Sequence, residues 1–343
     1  MNKEILREDV EAFARSFELY ESLRNKTFLI TGATGLIGSV MVKCLVALNR
    51  QHELGIRILA VVRNLKKAEV LFADEWTDMD VRQLELNEIN RDAIDCAVDY
   101  IVHLASPTAS KFFVDHPVET LQTIFVGTCS VLEYARQIHP KGIVYASSLE
   151  SYGINETDDW ISEDFQGFIN PMDVRSAYSL GKRTAECFCK SYAEEYNLPI
   201  TIARLTQTFG AGISEDEQRV FAQFARHALK GDDIELHTEG HSAKPYCYTT
   251  DTVSALLYLL VKGEAGKAYN VANKDTYISI RDMAELVRTH YCPQIAVKIV
   301  KKDDQGYAPV TKLRLDTRNI ETLGWHPQYN LIEMYSRLIT YLQ

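Results

Sequence analysis

Apolar residues recur along this chain at two spacings, one typical of buried strands and one typical of amphipathic helices. Short apolar runs predict strands, and repeats at three- and four-residue spacing predict helices. The predicted strands cover residues 28–30, 56–62, 81–86, 100–104, 142–146 and 200–203. Long helices are predicted over residues 3–24, 117–138 and 178–197. Strands that alternate with helices in this way indicate a parallel sheet covered on both faces.

Three glycines follow the first predicted strand. Residues 26–39 read KTFLITGATGLIGS, with Gly32, Gly35 and Gly38 at three-residue spacing. An apolar helical stripe then runs from Leu36 to Leu45. Strand, glycine turn and helix form the layout that binds a dinucleotide, because the glycines close the turn and let backbone approach the pyrophosphate at the helix N-terminus. A tight turn without a ligand is the alternative.

The predicted fold class is therefore α/β, a Rossmann-type doubly wound parallel sheet with a smaller C-terminal substrate-binding cap. After Gly210 the pattern becomes irregular. It predicts loops, including most of residues 231–248, around helices at 219–230, 251–262 and 279–290 (the last regular helix) and strands at 234–237 and 268–272. We expect three parts. Residues 1–24 form an N-terminal helical extension packed on the sheet edge or a partner subunit, and residues 25–205 form a dinucleotide-binding domain. Residues 206–343 are mostly substrate-binding, with elements that return to the sheet.

The residue that follows the second predicted strand bears on the type of dinucleotide. An acidic side chain at this position normally bonds the adenosine ribose 2′-hydroxyl, whereas an arginine can receive a 2′-phosphate. Here the position holds Arg63, followed by Asn64. The cofactor is therefore NAD or NADP, and a solvated basic turn is the alternative role for Arg63.

Composition narrows the class of protein. The chain has 343 residues, 46% of them hydrophobic, and a net charge of -10 without a basic block, so we expect neither a nucleic-acid nor a membrane partner. Its N-terminus lacks a signal-peptide core. The seven cysteines show neither redox nor zinc spacing, which favours reduced thiols in a cytoplasmic protein. The histidines show no ligand spacing, so no metal site is expected, and His103 is interpreted as structural.

Tyr178 and Lys182 stand four residues apart in the string YSLGK. That spacing places both side chains on one helical face. An ammonium near a phenol is expected to lower the phenol's pKa, which would let Tyr178 exchange a proton with a sugar hydroxyl while a nicotinamide exchanges hydride. Alone, the pair would be read as a surface pair. The glycine turn upstream and Ser147-Ser148 at a strand end make the Tyr178–Lys182 pair a specific indication of this chemistry.

With these motifs the chain resembles the extended short-chain dehydrogenase/reductase family, the NAD-dependent epimerases and dehydratases that act on nucleotide sugars. The strings that carry the resemblance are GATGLIGS, ASSLESYG, YSLGKR, ARLTQTFGAG and LGWHP, within about residues 25–335. HLASP at 103–107 and Arg175 ahead of the tyrosine resemble the UDP-glucuronate decarboxylases in particular.

The resemblance implies roles for individual residues. The implied catalytic residues are Ser148, Glu150, Tyr178 and Lys182. The implied cofactor-binding residues are Gly32, Thr34, Gly35, Leu36, Ile37, Gly38, Arg63, Asn64, Asn87, Leu104, Ala105, Ser106, Tyr178 and Lys182. The implied substrate-binding residues are Ser148, Arg175, Gln207, Arg219 and Lys244. A homodimer formed through the helices at 117–138 and 178–197 is also implied.

Several positions depart from the family pattern. Leu149 stands where the dehydratases have an acidic aspartate, which speaks against dehydration. Gln207 replaces an asparagine, Lys244 an arginine and Asn87 an aspartate. A lysine keeps the positive charge but loses the bidentate fork of arginine. These changes leave the nucleotide and the sugar open.

Three functions remain open at this point. The leading interpretation is an NAD(P)-dependent nucleotide-sugar epimerase or decarboxylase working through a transient 4-keto sugar. The second is an NADPH-dependent reductase of a nucleotide-linked keto-sugar or ketose, which Arg63 favours. The third is a non-catalytic cofactor-binding protein on the same fold.

Overall fold

The computed structural model describes residues 1–301 and 310–343 of the chain. Its strands are β1 (Thr27–Thr31), β2 (Arg57–Val62), β3 (Asp80–Gln83), β4 (Tyr100–His103), β5 (Gly142–Ser148), β6 (Trp160–Ile161), β7 (Ile200–Leu205), β8 (Gln207–Phe209), β9 (Ile234–Leu236), β10 (Ala243–Tyr248), β11 (Ala268–Val271), β12 (Asn273–Ser279), β13 (Val297–Ile299) and β14 (Arg314–Leu315). Its α-helices are α1 (Lys3–Ser16), α2 (Leu36–His52), α3 (Leu65–Leu71), α4 (Ser110–Asp115), α5 (Pro117–Ile138), α6 (Ser176–Tyr196), α7 (Val220–Lys230), α8 (Thr249–Lys262), α9 (Ile280–Tyr291), α10 (Arg318–Glu321) and α11 (Leu331–Leu342).

Seven strands form the central sheet, in the order β11-β7-β5-β4-β1-β2-β3, and every pairing is parallel. All residues of β1, β4 and β7 are buried, as expected for strands covered on both faces. Helices α2 and α8 pack on one face and α5 and α6 on the other. Strand order reverses beside β1, which opens a crevice at the carboxyl ends of β1 and β4. The predicted α/β fold with a doubly wound parallel sheet is confirmed.

The N-terminal segment is helical in two pieces, whereas the sequence predicted one helix over residues 3–24. After α1 the chain forms a 3₁₀ turn at Tyr20–Leu23. Between them Phe17 adopts an extended backbone, and its ring stacks on Phe13 at 5.2 Å and meets Tyr258 of α8 edge-on at 5.9 Å. These buried aromatic contacts draw α1 onto α2 and α8, so the expected packing on the sheet edge is wrong.

Two elements of the C-terminal part differ from prediction. Residues 243–248, expected as a loop, form β10, whose register on β12 shifts around Pro245. A proline argues against a strand, but it is tolerated where the ladder is irregular, since no N–H is needed there. Helix α11 follows the helix predicted to be the last. A capping box of Asn330 and Glu333 marks its start and could have revealed it.

The chain after residue 206 contributes to two layers. Strand β11 lies at the edge of the central sheet beside β7, and α8 covers one face of that sheet. Strands β12, β10 and β8 form a small second sheet. In its core with α7, α9 and α11, Phe209 stacks on Phe221 and also contacts the rings of Tyr246 and Tyr335. The division at residues 24 and 205 stays a prediction.

Candidate active site

The glycine turn between β1 and α2 is closed by backbone contacts that leave no space for side chains at two of its glycines. A Cβ added to Gly32, which has a φ of +69°, would lie 2.8 Å from the backbone nitrogen of Ala105, and one added to Gly38 would lie 2.3 Å from the Gly32 oxygen. At Gly35 the nearest atom would be 3.3 Å away. Helix α2 starts just after Gly35, so its unpaired N–H groups can meet an anion.

One cleft of about 1290 Å³ brings the predicted residues together. Every predicted site residue lines it: Gly32, Thr34, Gly35, Leu36, Ile37, Gly38, Arg63, Asn64, Asn87, Leu104, Ala105, Ser106, Ser148, Glu150, Arg175, Tyr178, Lys182, Gln207, Arg219 and Lys244. Sequence reasoning missed other lining residues, among them Phe113, Glu119, Gln122 and Thr123. These carry no motif, and only the folded chain places them beside the glycine turn.

Helix α6 fixes the Tyr178 and Lys182 side chains below the cleft. Lys182 Nζ donates a hydrogen bond of 2.7 Å to the carbonyl oxygen of Ala146 at the end of β5. The ammonium also lies 5.0 Å from the ring centroid of Tyr145 and 5.7 Å from that of Tyr178. The Tyr178 ring stacks on Phe113 of α4, with centroids 4.2 Å apart. Contacts within the protein therefore fix the positions of both side chains.

Burial dominates the protonation of this pair. It raises the pKa of the Tyr178 phenol, an effect that the charge of Glu150 reinforces and a hydrogen bond with Ser148 opposes. Burial also lowers the pKa of Lys182 to about 7. The expectation that Lys182 lowers the phenol's pKa is therefore wrong for the protein alone. Desolvation penalises both charged forms, and the ammonium bonds a backbone carbonyl instead of the phenol.

The two serines at the end of β5 face opposite ways, as successive residues of a strand must. Ser148 Oγ accepts a hydrogen bond of 3.2 Å from the Glu150 nitrogen and hydrogen-bonds with Tyr178 on the cleft side. Ser147 Oγ instead donates to the Glu186 carboxylate. Ser148 is therefore the serine placed beside the phenol.

Three cations and one carboxylate of the cleft lie close enough to act on one another. Lys244 is half-buried, and desolvation lowers its pKa; the nearby positive charges of Arg219 and Arg175 lower it further, while Glu150 opposes them. Arg219 is engaged by Glu217, with Nε–Oε1 and Nη2–Oε2 distances of 2.9 and 2.5 Å. Sequence reasoning missed Glu217, which carries no motif. The cluster is suited to an anionic group.

Gln207 adds a polar group to the lining of the cleft. Its Oε1 is buried and has no hydrogen-bond partner among the described residues. A buried acceptor without a partner is costly in a folded protein, so the position calls for a donor from a ligand or water.

His103 is structural, as predicted. Its Nδ1 lies 2.7 Å from Thr31 Oγ1 and its Nε2 3.1 Å from Thr128 Oγ1. Complete burial lowers its pKa to about 3, so the ring is neutral. It joins the ends of β1 and β4 to α5. Within residues 1–301 and 310–343, no group of three His, Cys, Asp or Glu side chains is arranged to hold a metal ion.

Comparison with known proteins gives the family. The model of the NAD dependent epimerase/dehydratase family matches residues 28–272. UDP-glucuronic acid decarboxylase 5 of Arabidopsis thaliana is 30% identical over 319 residues, which cover 90% of this chain and 87% of the relative.

Solved structures agree on the fold. The UDP-N-acetylglucosamine 4-epimerase of Methanobrevibacter ruminantium, in complex with UDP-N-acetylmuramic acid, has a TM-score of 0.80 at 18% identity, covering 93% of this chain and 98% of the other. The dTDP-glucose 4,6-dehydratase of Bacillus anthracis, in complex with NAD, has a TM-score of 0.75 at 19% identity, covering 92% and 96%. Since the family model matches more than half of the chain, this protein belongs to the NAD dependent epimerase/dehydratase family.

Proposed function

We propose that the protein is a nucleotide-sugar epimerase or decarboxylase that works through a transient 4-keto sugar. Tyr178 would move a proton between its phenol and the sugar C4 hydroxyl, and Ser148 would hydrogen-bond that hydroxyl. Lys182, in its charged form, would stabilise the phenolate and bond the nicotinamide ribose. A bound nicotinamide dinucleotide would supply reversible hydride transfer.

The observation that carries this proposal is the cleft that the glycine turn, Ser148, Tyr178 and Lys182 all line. The turn fits a dinucleotide. Its backbone is packed so closely that a Cβ at Gly32 or Gly38 would overlap it. The first residues of α2 line the cleft, where their N–H groups can meet a pyrophosphate.

Leu149 and Glu150 narrow the reaction type. Leu149 is buried in an apolar cluster with Tyr152 and Ile161. Its side chain has no acidic proton to give to a departing hydroxyl, which dehydration requires. Glu150 lines the cleft and raises the pKa of Tyr178. It is thus a carboxylate near the reacting phenol. These two positions support epimerisation or decarboxylation over dehydration.

The proposed substrate is a nucleotide sugar bound on the side of Arg175, Arg219 and Lys244. Three positive charges around one part of the cleft suit the diphosphate of such a molecule. The relative from Arabidopsis is named for UDP-glucuronic acid, and the epimerase from Methanobrevibacter holds a UDP-sugar. Both names support a UDP-sugar for this chain.

The family is NAD-dependent, and we propose that this member also accepts NADP. Arg63 follows β2 and lines the cleft with Asn64, whose Oδ1 caps α3, and with Lys67. Arg63→Ala should weaken NADPH binding more than NADH binding, since a charged hydrogen bond to a phosphate is worth about 1.5–3 kcal/mol. Calorimetric titration with both dinucleotides measures this. Equal losses would leave plain NAD as the assignment.

Arg63 and Lys67 also favour a second candidate, an NADPH-consuming reductase of a nucleotide-linked keto-sugar. One experiment separates the two functions. In redox-neutral chemistry the hydride returns to the same sugar, so purified protein should release near-stoichiometric dinucleotide on denaturation and convert a nucleotide sugar without added cofactor. The reductase would be purified mostly empty. Consumption of one NADPH per product, followed by absorbance, would contradict the redox-neutral mechanism.

We also propose a cytoplasmic homodimer formed through α5 and α6. Val118, Leu121 and Val126 are exposed on α5, and Phe125 of α5 packs edge-on against Phe188 of α6. Such an apolar helical face suits a second copy. Leu121→Lys should then shift the mass measured by light scattering from dimer to monomer. Among the described residues, no helix has the length and apolarity needed to cross a membrane.

A further inference from the structure

A buried cluster below the catalytic residues joins Lys182 to a carboxylate that the proposed mechanism does not use. Glu186 lies four residues after Lys182 on α6, and both are more than nine-tenths buried. Its carboxylate accepts a hydrogen bond from Ser147 Oγ and is held by the Arg204 guanidinium, with Nε 3.1 Å from both oxygens and Nη2 2.7 Å from Oε2. Spacing of four residues places Lys182 and Glu186 on one helical face.

This cluster contains two cations and one carboxylate. Arg204 stays charged in proteins, so Lys182 is the cation that can lose its proton. Burial lowers the pKa of Lys182 and the charge of Glu186 raises it, to a net value of about 7. Because this pKa lies near neutral pH, a change in the charge of Glu186 changes the fraction of Lys182 that is protonated.

The other titratable groups around the ammonium are uncharged near neutral pH. Burial raises the pKa of Tyr178, Tyr145 and Cys189 and lowers that of His103. The remaining nearby carboxylate, Glu150, acts on Tyr178 and Lys244 and is not among the charges that shift the pKa of Lys182. Among these described groups, Glu186 alone supplies negative charge to Lys182 from the same helix.

We propose that Glu186 is a positioning residue: its carboxylate, fixed by Ser147 and Arg204, keeps the Lys182 ammonium charged and thereby sets the upper pH limit of activity. The inference rests on the proposed function, which assigns Lys182 to the reaction. A neutral Lys182 could still donate to Ala146, but it could not stabilise a phenolate at Tyr178.

The pH profile of kcat/KM tests this assignment. Glu186→Gln keeps the size and an acceptor oxygen but removes the charge. Loss of the opposite charge of Glu186 should lower the pKa of Lys182 by about one unit, so the alkaline limb should move to lower pH by that amount while activity at pH 5 stays close to wild type. Glu186→Asp should restore the limb. A folded Glu186→Gln variant with an unchanged alkaline limb would overturn the proposal.

A second variant covers the case in which Glu186→Gln does not fold, since it leaves Arg204 buried without its carboxylate. Arg204→Met removes the competing cation, so the alkaline limb should move to higher pH. A shift to lower pH, or none, would contradict the proposal. The two variants therefore predict opposite displacements of the same limb.

Labelling separates failure of this inference from failure of the proposed function. Competitive acetylation with acetic anhydride, read by peptide mass spectrometry across pH, reports the protonation of Lys182 without turnover. Its midpoint should fall in Glu186→Gln, while that of exposed Lys190 on the same helix stays constant. An unmoved Lys182 midpoint refutes the role of Glu186. A lowered midpoint with an unmoved activity limb refutes the role of Lys182 in the reaction.

Discussion

Replacing Gly38 by alanine tests the packing of the glycine turn. The added Cβ would lie 2.3 Å from the Gly32 oxygen and 2.9 Å from Ala33 Cα, both backbone atoms that cannot rotate away. Gly35→Ala is the matched control on the same turn. Its Cβ would meet the Gly32 oxygen at 3.3 Å, where a displacement of a few tenths of an ångström relieves the contact.

The size of the effect follows from the displacement that the contact forces. Real Cβ contacts stay above 3.0 Å, so α2 must recede from the turn by about 0.7 Å, the difference between 3.0 and 2.3 Å. Overpacking of this kind costs about 1–3 kcal/mol. With an unfolding entropy of about 2.1 cal/mol/K per residue, a chain of 343 residues should lose about 1.5–4 °C in Tm.

Scanning calorimetry and titration with NAD measure the two consequences. Gly38→Ala should lower both Tm and cofactor affinity, because α2 carries the N–H groups proposed to bind the pyrophosphate. Gly35→Ala should keep Tm within about 1 °C yet weaken cofactor binding, since this glycine lets the ligand approach the backbone. A Gly38→Ala protein with wild-type Tm and affinity would refute the packing argument.

Three further predictions concern single side chains. Tyr178→Phe should reduce turnover about 10²–10⁴-fold with unchanged Tm and cofactor affinity, and near-wild-type turnover would exclude the phenol as proton carrier. Burial raises the pKa of Asp251 from 3.8 to about 7, so its stabilising contribution is present below about pH 4 and is lost as pH rises to 7. The unfolding free energy of wild type minus that of Asp251→Asn, from urea titrations, should therefore fall between pH 4 and pH 8, by up to about 4 kcal/mol. His103→Ala should destabilise by about 1–3 kcal/mol, seen in the same titrations, because it removes two buried hydrogen bonds, to the Thr31 and Thr128 hydroxyls, each worth about 0.5–1.5 kcal/mol.

The sequence by itself determined those helices, strands and turns that depend on residues close together in the chain. The apolar run of β1, the glycine turn and the stripe of α2 predicted the start of the fold, and the helix predicted over residues 117–138 has the bounds of α5. The Tyr178–Lys182 spacing likewise follows from helical periodicity alone. The resemblance in short motifs named residues from 32 to 244 that line one cleft. Their roles stay predictions.

Only the tertiary structure decided features that depend on distant neighbours. Strand β10 forms around Pro245 because β12 and β8 pair with it, and the sequence of residues 243–248 does not predict that pairing. The protonation of Tyr178 and Lys182 was misjudged from spacing, because desolvation is set by elements packed around them, including α4 and β5. The partners of Glu186 are a serine 39 residues and an arginine 18 residues away along the chain. Burial and long-range pairing depend on which surfaces meet in the folded chain, and a linear pattern does not record them.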